Sequence, residues 1–180
     1  MWPSILSKIS SASADESVIA IDGSHLKAHQ DACRHSSNPT DQGLGKTKGG
    51  RNSKINAVVD KNGKLLRMKI VPGNENDIVS AAEVLGNDLS GSIVLGDKAF
   101  QSAELAWHIL DAGGVPNIPS RDGTKDPLPY HKELGKLRRI VENFFCRIKR
   151  CRRVATRYEK LAVTFVSFVT LSAIDDWIRL

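Results

Sequence analysis

Apolar and polar positions change period several times along this chain, and each change predicts an element. "SVIAIDGS" (17–24) is apolar on both faces until Asp22, the pattern of a strand buried on both sides with an acid at its end. "HLKAHQDACRHSSNPTDQGLGKTKGGRNSK" (25–54) is rich in Gly, Ser, Asn and Lys and predicts a long, mobile, basic loop. "KINAVVDKNGKLLRMKIV" (54–71) predicts a hairpin, with Asn62-Gly63 as a type I′ turn. "NDIVSAAEVLG" predicts a short helix capped by Asn76 or Asp77 and stopped by Gly86. "GSIVLGDKAF" repeats the design of the first strand: Ile93, Val94 and Leu95 are buried, and Asp97 follows. "SAELAWHILDAGG" predicts a helix capped by Ser102, and "VPNIPS" a short edge strand. A loop, a long helix from about 132 to about 153 and an apolar helix from about 160 complete the order. Hairpin strands first and strand–helix units after them imply an α/β fold: a mixed sheet, antiparallel hairpin plus parallel strands, flanked by helices.

Composition narrows this picture. At 180 residues the chain suits one domain with a real core, and its formal charge of +6 favours a polyanionic partner. Three cysteines, Cys33, Cys146 and Cys151, form no paired framework, so reduced thiols in a cytoplasmic compartment are expected. The start, "MWPSILSKISSASADES", lacks the charged and apolar regions of a signal peptide. The apolar stretch "LAVTFVSFVTLSAI" is short and broken by Thr164, Ser167, Thr170 and Ser172, so a buried helix is expected and no membrane anchor.

Asp22 and Asp97 each end an apolar strand. One such acid reads as a turn or cap; two with the same design point to acids meeting where an open α/β sheet binds ligands, beyond its strand ends. Glu142 lies in "RRIVENFFCRIKRCRRVATRYEK" (138–160). Helical spacing puts Leu137, Val141, Phe144, Ile148 and Cys151 on a buried stripe and Arg138, Glu142, Phe145 and Lys149 on another side. An i,i+4 ion pair with Arg138 explains Glu142 locally. It does not explain eleven Lys and Arg against three Glu between 131 and 160, a charge that a phosphate backbone would relieve. Three carboxylates can hold two divalent cations of the magnesium type, which activate an attacking oxygen and stabilise a leaving one in phosphoryl displacement.

"IDGSHLKAHQ", "VLGDKAF" and "RRIVENFFCRIKRCRRVATRYEK" together resemble the three motifs of bacterial DDE insertion-sequence transposases, most closely insertion-sequence family five. The resemblance implies an RNase H-like fold in which Asp22, Asp97 and Glu142 are the catalytic, metal-binding triad for two Mg²⁺ (or Mn²⁺). It implies cleavage and strand transfer of double-stranded DNA at terminal inverted repeats, with no membrane role, by a homodimer assembled on DNA in the cytoplasm or nucleoid. The family's third motif is Tyr, two residues, Arg, three residues, Glu, six residues, Lys. Arg138, Glu142 and Lys149 match it, whereas the Tyr position is Gly135 and the nearest tyrosine, Tyr130, lies upstream. Arg138 and Lys149, with Lys27 and His29 of "KAHQ", are implied DNA contacts. Lys46, Lys48 and Arg51 of the basic loop, with Arg153 of the long helix, are expected to join them. Residues 1–16 are expected to be a linker or the remnant of a helical DNA-recognition region, and 17–180 the catalytic domain. By the same resemblance the chain is expected to be the downstream product of a split reading frame or a truncated copy. A DNA-binding remnant without activity, and an RNase H-like nuclease or resolvase, are the alternatives.

Two other groupings carry less. His25, His29, Cys33 and His35 lack a second cysteine pair at zinc-finger spacing and read as chance clustering in a polar segment. "GLGKTKGG" lacks the full spacing of a phosphate loop, and a basic arm touching DNA fits it better.

Overall fold

A strand made of Val, Ile, Ala and Ile with nothing polar on either face has to lie inside a sheet, and in the computed structural model it does. Residues 1–33 and 39–179 are described. Helix α1 (Trp2–Ser13) is followed by β1 (Val18–Ala28), β2 (Gly45–Thr47), β3 (Gly50–Val59), β4 (Leu65–Pro72), α2 (Ala81–Leu85), β5 (Ile93–Leu95), α3 (Ala103–Asp111) and β6 (Val115–Asn117). Then come α4 (Lys132–Gly135), α5 (Arg139–Ile148), α6 (Arg152–Ala155), β7 (Thr156–Arg157) and α7 (Ala162–Arg179). The sheet runs β2-β3-β1-β5-β6, with β4 also on β3 and β7 also on β1. β1 is antiparallel to β3 and parallel to β5 and β7; β5 and β6 are parallel. An antiparallel meander continued by parallel strand–helix units, covered by helices, is the mixed α/β, RNase H-like architecture.

Ile19, Ala20 and Ile21 of β1 are fully buried, as are Ile55, Ala57, Val58 and Val59 of β3. α5 packs on β1 and β3 through Val141, Phe144, Phe145 and Ile148. α7 closes that side with Phe165, Val169, Ala173 and Trp177, spaced by four residues, and the Trp177 indole donates to the Leu65 carbonyl at 2.9 Å. α1 packs on α7 and β4. Among the described residues no helix is long and apolar enough to cross a membrane.

Several local expectations are corrected. The stretch 25–54 is not one long loop: β1 continues to Ala28, and β2 and the start of β3 form a second hairpin, Lys46 facing Arg51. Main-chain ladders with β3 hold these polar residues extended, whatever their side chains. The Asn62-Gly63 turn is not type I′, because among the described residues no non-glycine, Asn62 included, has positive φ. Gly63 alone does (φ 76°), the Gly63 N–H donates to the Asp60 carbonyl, and the Asp60 carboxylate accepts from Asn62 and Lys64 N–H. That is a three-residue loop with glycine in the left-handed position. The long helix from 132 to 153 is broken. Lys136–Arg138 is 3₁₀, the chain leaves the helix after Ile148, and Thr156–Arg157 pair with β1 instead. Leu137, assigned to the buried stripe, is exposed, and Phe145, assigned to the other side, is buried.

Candidate active site

Asp22 and Asp97 arrive at one place by strand register. β1 and β5 pair up to Ala20 and Leu95, so each acid stands two residues past its partnered end. The Asp97 carboxylate caps the 3₁₀ turn Lys98–Phe100, accepting from the Ala99 N–H at 2.8 Å. Asp22 Oδ1 accepts from the Gly23 N–H at 2.7 Å. Opposite them α5 presents Glu142, half exposed beside its buried apolar face.

Arg138 ties these elements together. Its guanidinium lies 3.1 Å from Asp22 Oδ2 and 2.5 Å from Glu142 Oε1. Lys149, further along the same helix side, donates to Ser24 Oγ at 2.6 Å and to the His25 carbonyl at 3.1 Å. Ser24 is two residues past Asp22 and so projects from the same face of β1. No sequence signal singled Ser24 out; a hydroxyl at i+2 from a strand-end acid is the trace it leaves.

The electrostatics follow from this packing. Burial raises Asp22 to about 6; the Gly23 N–H and Arg138 pull it down, and the charges of Asp97 and Glu142 push it up further. Asp22 therefore feels both other carboxylates. Burial likewise lowers the Lys149 ammonium below its ordinary value. Among the described residues no three His, Cys, Asp or Glu side chains are grouped tightly enough to hold a metal ion, and the Arg138 guanidinium contacts both Asp22 and Glu142. The donor set itself suits a hard cation: all-oxygen and anionic, with a desolvated member destabilised by its own kind.

The remaining expected DNA contacts divide into two groups. Lys27 is exposed on β1, and Lys46, Lys48 and Arg51 are exposed on the β2–β3 hairpin. His29 and Arg153 already have partners: His29 stacks on Tyr158, ring centroids 4.6 Å apart, with Nδ1 3.2 Å from Asp31, and Arg153 lies 3.0 Å from the buried Glu159 and over the Phe168 ring. Two more members of the basic run are structural. Arg147 joins Asp176 of α7 at 2.7 Å and the Gly63 carbonyl, while Arg157 is fully buried, donating to the carbonyls of Gln42, Glu159 and Lys160 and to Ser53 Oγ. Of the histidine–cysteine grouping, His35 lies outside the described residues.

A family model described as "Transposase DDE domain" matches residues 13–174. A Brucella ovis protein named as a transposase for insertion sequence element IS6501 is 32% identical over 128 residues, 71% of this chain and 98% of that protein. Among solved structures, the Mos1 transposase paired-end complex with left transposon end matches at a TM-score of 0.38 and 10% identity, covering 96% of this chain; the chain spans 60% of the length of the Mos1 chain. The chain belongs to the DDE transposase family and is a transposase catalytic domain of the insertion-sequence kind.

Proposed function

We propose that this domain cuts and joins DNA at the inverted repeats of an insertion sequence, of family five by its motif contexts, with Asp22, Asp97 and Glu142 as its catalytic acids. The observation that carries the reading is the partly buried Asp22 carboxylate, raised to about 6 within the fields of Asp97 and Glu142. Such a cluster is costly alone and favourable around divalent cations. These three residues would hold Mg²⁺ or Mn²⁺, two ions in the complete site, and the bound metal would supply Lewis-acid activation of the attacking oxygen and stabilisation of the leaving one.

The chain's own residues supply the rest. Asp22 and Asp97 are fixed by strand register and by a cap, so their approach does not depend on flexible loops. Lys149, braced by Ser24, and Arg138 place positive charge beside the acids, where a phosphodiester has to sit. Lys27 and the Lys46, Lys48, Arg51 hairpin extend that charge as a duplex-holding surface. Joining two element ends requires two such sites, and a homodimer on double-stranded DNA provides them. The work is done on DNA in the cytoplasm.

The test is cleavage of a duplex carrying the inverted repeats that flank the gene, by the chain joined to any overlapping upstream frame. Mg²⁺-dependent cutting is expected, and Asp97→Asn should abolish it while leaving DNA binding in place. Normal cutting by Asp97→Asn would overturn the assignment. Salt-sensitive binding with no cutting under any divalent cation would favour a DNA-binding remnant, and cutting of RNA–DNA hybrids without strand transfer a nuclease.

A further inference from the structure

The segment Lys136–Arg138 is 3₁₀ with Gly135 as its N-cap. At three residues per turn, positions i and i+3 eclipse, so the side-chain direction of residue 135 lies over Arg138. Glycine leaves that direction empty, and Tyr130 fills it. A β-carbon at position 135 would overlap the Tyr130 hydroxyl oxygen and lie 2.7 Å from its Cζ. The main chain next to Tyr130 is anchored. The His131 N–H donates to Asn117 Oδ1 at 2.8 Å, Asn117 Nδ2 donates back to the His131 carbonyl at 3.3 Å, and Asn117 is buried in β6. Tyr130 is 38% exposed, and its hydroxyl makes no hydrogen bond to another described residue.

We propose that the Tyr130 hydroxyl is a substrate contact of this site, a neutral donor to a DNA phosphate oxygen at the head of the row formed by Arg138, Glu142 and Lys149, and that residue 135 is glycine to admit it. The inference rests on the DNA-binding reading above. A tyrosine absent from the helix in sequence is supplied to the same face in space by a residue five positions earlier. The Tyr130 hydroxyl then occupies the side-chain position of residue 135, one 3₁₀ turn before Arg138 along the chain. A phenol there adds direction without adding charge, orienting the backbone that the cations attract.

The test is anisotropy of a fluorescein-labelled, mixed-sequence duplex of roughly 20 bp, without divalent cation, from about 50 to about 200 mM KCl. Tyr130→Phe should weaken binding roughly three- to tenfold, as removal of one neutral hydrogen bond does. The salt slope should not change, because a hydroxyl releases no counterion, whereas Lys149→Met should lower it by about one. Gly135→Ala displaces only the far end of the tyrosine side chain and is a better helix former, so the fold should hold while binding falls as in Tyr130→Phe. The double variant should lose no more than either single one. Wild-type affinity in Tyr130→Phe, or losses that multiply in the double variant, overturns this inference alone. A wild-type chain that binds no duplex at low salt overturns the site reading and this inference with it.

Discussion

The Arg138 guanidinium lies 3.1 Å from Asp22 although 116 positions separate the two residues, and the same group holds Glu142 one helical turn away. One organic cation therefore bridges the first and third acids of a cluster proposed to hold inorganic ones. Arg138→Gln should leave a partly buried Asp22 unpaired and lower the melting temperature in EDTA at pH 8. Mn²⁺ should then raise that temperature more in the variant than in the wild type, because the ion no longer competes with a guanidinium. Calorimetric titration with Mn²⁺ reads the same effect as a lower Kd. Equal or weaker Mn²⁺ binding by the variant would show that Arg138 prepares the site instead of occupying it.

Asp22 makes metal-free stability depend on pH in a defined direction. Its value of about 6 exceeds the ordinary 3.8 of an aspartate, mainly through burial. The folded state therefore holds this proton more tightly than the unfolded one. Its stabilising contribution is complete below about pH 4 and is lost as pH rises through about 6. Asp22→Asn removes that loss and should stabilise the protein at pH 8 by up to about 3 kcal/mol. The gain should vanish at pH 4. Thermal melts in EDTA across this range check it, and a destabilised variant at pH 8 would mean that the Arg138 pairing outweighs burial.

What could be seen in the sequence and what could not differ by a physical criterion. The double-sided apolar run ending in Asp22, its repeat before Asp97, and the Ser102 cap are local patterns, and each lies in its expected element. The Arg138–Glu142 pair follows from i,i+4 geometry. The Asp22 arm of the same guanidinium and the seat of Tyr130 against Gly135 are tertiary, and no period encodes them. The break after Ile148 is hidden because apolar spacing runs on through Cys151 and Val154. What ends the helix is the pairing of Thr156–Arg157 with β1, together with burial of Arg157 against four acceptors.

Arg153 tests whether the basic run is one surface. Its guanidinium neutralises Glu159, whose side chain is only 4% exposed, and covers the Phe168 ring. Arg153→Met should strand that carboxylate and cost about 2 kcal/mol or more. The DNA affinity of the folded fraction, measured well below the melting temperature, should stay near wild type. A large drop in affinity with unchanged stability would return Arg153 to the DNA-holding group.

The β2–β3 hairpin makes the opposite prediction. Lys46 and Arg51 are directly opposed across an antiparallel pair, both exposed, with Lys48 exposed in the connecting turn. Opposed like charges destabilise a pair of strands by a few tenths of a kcal/mol, and no described acid is ion-paired with either. Such repulsion is tolerable where a polyanion removes it. Lys46→Gln with Arg51→Gln should therefore leave the melting temperature unchanged or slightly higher. Binding to a mixed-sequence duplex should weaken, and the slope of log K against log salt should fall by up to about two, roughly one for each phosphate no longer neutralised. Weaker binding with an unchanged slope would mean that the hairpin acts through shape and not through its charges, and unchanged binding would remove it from the DNA surface.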